Sequence, residues 1–142
     1  MEKFNYIKKR LNQMQGSRGT WEDHWQEILD YVMPRKADIV FTRTKGQKRT
    51  EILFDSTAIT ASNLLAASLQ GTLTSPSLQW FNIKLKNDQL NLNRNVQLWL
   101  EDCSKRMYEV FNETNFNTEV HEMYLDLVTI GTGALFVEEG NG

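Results

Sequence analysis

Apolar side chains recur along this chain with two periods, one of three to four residues and one of two, and each period assigns an element. Phe4, Ile7, Leu11 and Met14 form one stripe of a helix ending at Gly16, with Lys3, Lys8, Lys9 and Arg10 mostly off it. Residues 16–19 are turn material, and Thr20 followed by Asp23 predicts the N-cap and first-turn acid of a second helix. Trp21, Trp25, Ile28, Leu29 and Val32 line its apolar face, and Pro34 stops it. Residues 47–54 read as extended. Asp55 or Ser56 then caps a third helix through Ala58, Ala61, Leu64, Leu65, Ala66, Ala67 and Leu69, which Gly71 is expected to end. A loop follows over residues 72–79.

Period two appears in residues 80–86: Phe81, Ile83 and Leu85 alternate with Asn82, Lys84 and Lys86, the pattern of a half-buried strand. From Asn95 the helical period returns through Val96, Trp99, Leu100, Cys103, Met107, Val110 and Phe111. Residues 114–117 form a turn, and Thr118 opens a last helix carrying Val120, Tyr124, Leu127 and Val128 until Gly131-Thr132-Gly133 breaks it. Residues 134–138 read as a strand, followed by Asn141-Gly142, the favoured two-residue hairpin turn. A hairpin starting at 134–142 needs a second strand. Either this is an isolated edge or, as expected here, the N-terminal piece of a longer protein.

The 142 residues, 40% hydrophobic and 24% charged, with four Trp and two Pro, describe a single folded unit over 1–142 and exclude a disordered chain. The lone Cys103 cannot close an internal disulfide, which fits a reducing compartment. The longest uncharged run, between Asp55 and Lys84, is interrupted by Asn63, Gln70, Gly71 and Pro76 and is no membrane span. Net charge is -2, but it is unevenly placed. Residues 1–50 carry 11 Lys+Arg against 6 Asp+Glu, and residues 51–142 carry 5 against 12. Positive charge is densest in a basic loop over 35–50, in Arg35, Lys36, Arg43, Lys45, Lys48 and Arg49. Such a loop suits DNA or an acidic surface on a neighbouring subunit, although a solvated loop has the same composition.

Catalytic signatures do not assemble. His121-Glu122 begins like a zinc-protease helix, but Leu125 stands where the second histidine is required, and His24 is the only other histidine. Gly131-Thr132-Gly133 lacks the spacing and the Gly-Lys-Ser/Thr ending of a phosphate loop. Cys103 sits on an apolar stripe, where a thiol is inert, and the acidic pairs Glu101-Asp102, Glu109 with Glu113, and Glu119 with Glu122 fall on polar helix faces. Trp21 and Trp25 suit a core better than a base-stacking platform. The expectation is a protein that is not an enzyme and has no catalytic residue, no cofactor and no metal.

Several features in fixed order resemble a known family. They are Trp25-x-x-Ile28-x-x-Tyr31-x-x-Pro34, Ile52-Leu53-Phe54-Asp55-Ser56-Thr57-Ala58, the alanine-leucine helix from Leu64 to Leu69, Leu73-Thr74-Ser75-Pro76, Trp80-Phe81, and Gly131-Thr132-Gly133 before a strand. Each is structurally ordinary. Their order and spacing over residues 4–138 are similar to the N-terminal part of the head-to-tail connecting, or portal, proteins of short-tailed (podovirus-type) bacteriophages. The family often has a double proline where this chain has Ser75-Pro76, and its subunits are several times longer.

The resemblance implies an α+β fold, mainly helical with short β-strands, like the N-terminal wing region of a portal subunit. It implies a homo-oligomer ring, typically of about twelve subunits, at one capsid vertex, through which viral DNA is packaged and later ejected. Terminase, capsid, scaffold and tail proteins are the implied partners, and the virion, with host cytoplasm during assembly, the implied location. No covalent chemistry is implied. Two rival readings remain: a small nucleic-acid-binding module using the basic loop 35–49, and an enzyme fragment whose catalytic half lies elsewhere.

Overall fold

The computed structural model describes residues 2–138, with the side chain of Glu2 outside the description. The expected hairpin turn at 139–142 therefore lies outside the described residues. Among the described residues, six α-helices and one 3-10 turn make up the regular structure. They are α1 (Glu2–Gly16), α2 (Gly19–Val32), the 3-10 turn (Pro34–Lys36), α3 (Thr57–Leu73), α4 (Asp88–Asn91), α5 (Arg94–Glu113) and α6 (Phe116–Ile130). The chain divides into two compact units, 1–62 and 63–142. Among the described residues no helix is long and apolar enough to cross a membrane.

In the first unit, α1 forms where its stripe predicts, but Phe4, Ile7, Leu11 and Met14 are all exposed. Amphipathic period fixes a helix face without supplying its cover. The second helix starts earlier than Thr20, at Gly19 behind Arg18. Arg18 is itself in helical conformation, and the Trp21 and Glu22 amides bond to its carbonyl, so the chain turns without a side-chain cap. Its guanidinium pairs with Glu22 at 3.0 Å and lies 5.5 Å from the Trp25 ring centroid. The acid of the first turn is thus Glu22, not Asp23. Leu29, Pro34 and Ala37 form the buried centre of this unit, together with the side chain of Gln26.

Asp55 caps α3 as expected, accepting from the Thr57 amide at 3.1 Å and the Thr57 hydroxyl at 2.9 Å. Those two bonds hold its pKa below the ordinary carboxylate range. Gly71 does not end α3. The helix continues to Leu73, the Thr74 amide bonds to the Gln70 carbonyl, and the stop comes at Ser75, whose successor Pro76 disfavours helical backbone.

In the second unit α5 packs against α6. Leu100, Val120, Tyr124 and Leu125 are buried there, beside a cluster of Trp80, Phe81, Phe111 and Phe116. Phe111 and Phe116 stack with centroids 4.4 Å apart, and Trp80 stacks 6.2 Å from each. The loop before Trp80 is tied down by Tyr108, whose hydroxyl donates to the Pro76 carbonyl. The stripe expected on α5 is only partly covered, since Trp99, Met107 and Val110 are exposed while Ser104 is almost fully buried. Asn93 caps α5, and α6 opens at Phe116 rather than Thr118, because the Thr118 and Glu119 amides bond to the Asn115 carbonyl. A short helix, α4, capped by Asn87, was not expected.

The α+β expectation is corrected to a helical one. Residues 80–86 and 134–138 are irregular and pair with no strand among the described residues, and residues 47–54 likewise form no strand. Alternation gives a chain segment two faces, but a strand exists only with a neighbour to complete its ladder.

Gly131 ends α6 as expected, with φ 76° and its amide bonded to the Leu127 carbonyl. A Cβ on Gly133 would lie 2.8 Å from the Met123 carbonyl oxygen and 2.9 Å from Met123 Cγ. The chain leaving α6 therefore presses against it at a point where only glycine fits. Gly131→Ala is expected to cost about 1 kcal/mol through left-handed strain. Gly133→Ala should cost more, because the obstructing atom includes backbone. Denaturant midpoints of the two variants, ranked in that order, check this.

Candidate functional site

The basic loop begins where Pro34 ends α2 and the 3-10 turn redirects the chain. Gln26 sits on the inward side of α2, three residues before Leu29, and is buried. Its amide nitrogen donates to the Ala37 carbonyl at 2.7 Å and to Asp30 at 3.1 Å. Its oxygen accepts from the Ile39 and Val40 amides at 3.0 and 3.2 Å. One side chain thus serves three backbone groups of a loop that has no regular structure to satisfy them.

Arg43 reaches back over the same root. Its guanidinium donates to Asp30 at 2.7 Å, to the Ala37 carbonyl at 2.6 Å and to Asp38 at 3.2 Å. With 11% of its side chain exposed, it is enclosed, and its pKa is raised first by the Asp30 hydrogen bond. Arg49 bonds to the other oxygen of Asp38 at 2.6 Å and to the Arg35 carbonyl at 2.8 Å. Asp38 therefore bridges two arginines. The Arg43 guanidinium also lies 5.2 Å from the Phe41 ring centroid.

Between these anchors the loop turns at residues 44–47. The Gln47 amide bonds to the Thr44 carbonyl, the Thr44 amide to the Gln47 side chain, and Gly46 takes φ 86°. Lys45 within this turn and Lys48 just after it are exposed, as are Arg35 and Lys36. The six basic residues singled out from sequence thus divide. Arg43 and Arg49 face Asp30 and Asp38 and hold the loop in shape, while Arg35, Lys45 and Lys48 present charge to solvent, and Lys36 is exposed beside Arg35. Sequence reasoning missed Gln26, Asp30 and Asp38. A polar residue on an apolar helix stripe, as Gln26 is, was the available signal.

The histidines lie elsewhere. His121 Nδ1 is 2.9 Å from the Gln70 side-chain oxygen, and Gln70 in turn donates to the Asn117 carbonyl at 2.8 Å, tying α3 to α6 within the second unit. Cys103 is half-buried. Among the described residues no group of three His, Cys, Asp or Glu side chains is placed to hold a metal ion.

Residues 5–142 match the family of bacteriophage head to tail connecting proteins, and the chain belongs to that family. It is 33% identical over 129 residues to a probable portal protein of Bordetella phage BPP-1, covering 90% of this chain and 23% of that protein. It is 31% identical over 132 residues to the portal protein of Salmonella phage epsilon15, covering 92% of this chain and 24% of that protein. The chain thus spans about a quarter of the length of these relatives.

Proposed function

We propose that this chain is the N-terminal part of a portal subunit of a short-tailed bacteriophage, with a structural role and no catalytic one. Copies of the whole subunit form a ring at one capsid vertex, viral DNA passes through it during packaging and ejection, and terminase, capsid, scaffold and tail proteins dock on it. The observation that carries this reading is the match to portal relatives across nine-tenths of the chain. Uncovered apolar residues on α1 and α5 and the opposite charge of residues 1–50 and 51–142 support it, since a ring needs two different surfaces that complement each other. A ring of about twelve copies is the expected assembly. Light scattering and electron microscopy of the full-length protein without nucleic acid test it: closed rings are expected, and a stable monomer at all concentrations overturns it.

Within this reading the loop tip, with Lys45 and Lys48 outermost, meets an acidic surface of a neighbour or packaged DNA. Lys45→Glu with Lys48→Glu should lower ring yield or DNA content per particle without unfolding the loop, whose anchors are untouched. Equal ring yield and equal DNA content would remove the tip from the contact. If the loop instead serves a nucleic-acid-binding module, affinity for duplex DNA should fall steeply with salt.

A further inference from the structure

The two segments that read as strands in the sequence, 80–86 and 134–138, both lack a partner strand among the described residues, and their open sides match. In residues 80–86 four odd-numbered backbone groups are occupied. The Ile83 amide donates to Ser104 Oγ at 3.3 Å, and the Leu85 amide and carbonyl are both held by the Asn91 side chain at 2.9 Å. The Phe81 carbonyl accepts from Gln79 at 3.1 Å. In an extended chain alternate residues turn their N–H and C=O to opposite sides. Asn82 and Lys84 therefore direct theirs away from α4 and α5, where no described residue meets them. Phe81, Ile83 and Leu85 are half-buried on one face, and Lys84 and Lys86 are exposed on the other. Side chains of α4 and α5 thus hold one side of this segment and leave its other side open.

Residues 134–138 show the complementary shortage. Leu135, Phe136 and Val137 are 39%, 84% and 80% exposed, and no backbone group of the segment bonds to another described residue. We propose that residues 134–138 of one copy add as a β-strand to the open edge of residues 82–86 on the next copy, a contact that rests on the ring reading above. Placing Phe136 opposite Lys84 sets Leu135 and Val137 beside Ile83 and Leu85 in either strand direction, so the apolar faces coincide. In the antiparallel direction Glu138 lies diagonal to Lys84, and in the parallel one it faces Lys86. The same lysines oppose pairing of this edge with its own copy, because like charges would then meet. Joining one segment to a different segment is a heterologous contact, the kind that propagates around a ring.

Cross-linking in the full-length protein tests this. With all native cysteines replaced, Lys84→Cys and Phe136→Cys are introduced together, since directly opposed residues lie within disulfide range in either direction. Oxidation of the assembled protein should give a ladder of covalent multimers on non-reducing gels, and a mixture of the two single-cysteine chains should give dimers only. Intact rings with no ladder, or with only an internally linked monomer, would overturn the strand contact and leave the ring reading standing. Absence of rings from the unsubstituted protein would overturn both. A second variant guards against failure of the cysteine pair. Lys84→Glu with Lys86→Glu should lower ring yield about threefold, the scale of an exposed charge pair, and adding Glu138→Lys should restore it. Unchanged yield, or a loss that Glu138→Lys does not rescue, counts against the contact.

Discussion

Replacing Gln26 by leucine should release residues 37–43 from α2 while leaving the helix itself intact. The side chain is buried and serves the Ala37 carbonyl and the Ile39 and Val40 amides. Leucine has similar bulk, so packing loss is small and the cost falls on three lost bonds: the Ile39 and Val40 amides are left without partners, and the Ala37 carbonyl keeps only Arg43. At about 1 kcal/mol for each unmade bond the variant should lose roughly 3 kcal/mol. Hydrogen exchange at Ile39 and Val40 reads this directly, and rates on the order of 100-fold faster are expected there. Exchange in α5 and α6, which lie in the other unit, should not change. A Gln26→Glu variant discriminates further, because its carboxylate can still accept from both amides but cannot donate to Ala37. It should fall between the parent and Gln26→Leu.

Phe111→Ala should have the largest effect in the second unit. The ring stacks on Phe116 at 4.4 Å, packs edge-on to Phe81 at 5.8 Å and faces Trp80 at 6.2 Å. Its removal takes away three aromatic contacts at once and leaves a space that α5 and α6 cannot close without repacking. A loss of about 3 kcal/mol, the low end for a truncated phenylalanine because this one is half-buried, is expected from denaturant unfolding. With Trp21, Trp25 and Trp99 replaced by phenylalanine, Trp80 is the reporter: its fluorescence should shift to longer wavelength as more water reaches the indole. Phe111→Leu should recover part of the loss, since it restores volume without the stacking.

Both effects trace to how much of the structure was legible in the sequence. Helical periodicity located the four longer helices after the first turn and the amphipathic α1, since the period of a helix depends only on its own residues. Gly131 was read as a terminator and is one, because its position after the last apolar residue required a left-handed backbone. Gly71 has the same identity without the same role: glycine permits such a conformation but does not impose it, and α3 runs on to Leu73. The alternation at 80–86 identified two faces correctly, yet the neighbours that hold this segment are the side chains of Ser104 and Asn91, which no local pattern announces. In the loop the sequence exposed the cations but not their division. Whether an arginine is a contact or an anchor depends on Asp30 and Asp38, and the first of these lies in a helix that ends before the loop begins.

A loop fastened at its root and exposed at its turn between Thr44 and Gln47 also offers a practical handle. Lengthening such a turn costs little, because closure entropy grows only slowly with added residues. A short epitope or a small fluorescent tag inserted after Gly46 should be displayed outward without disturbing Gln26 or Arg43. In the ring proposed above, the labelled segment could be located by antibody or gold decoration, giving its radius and height without a high-resolution map.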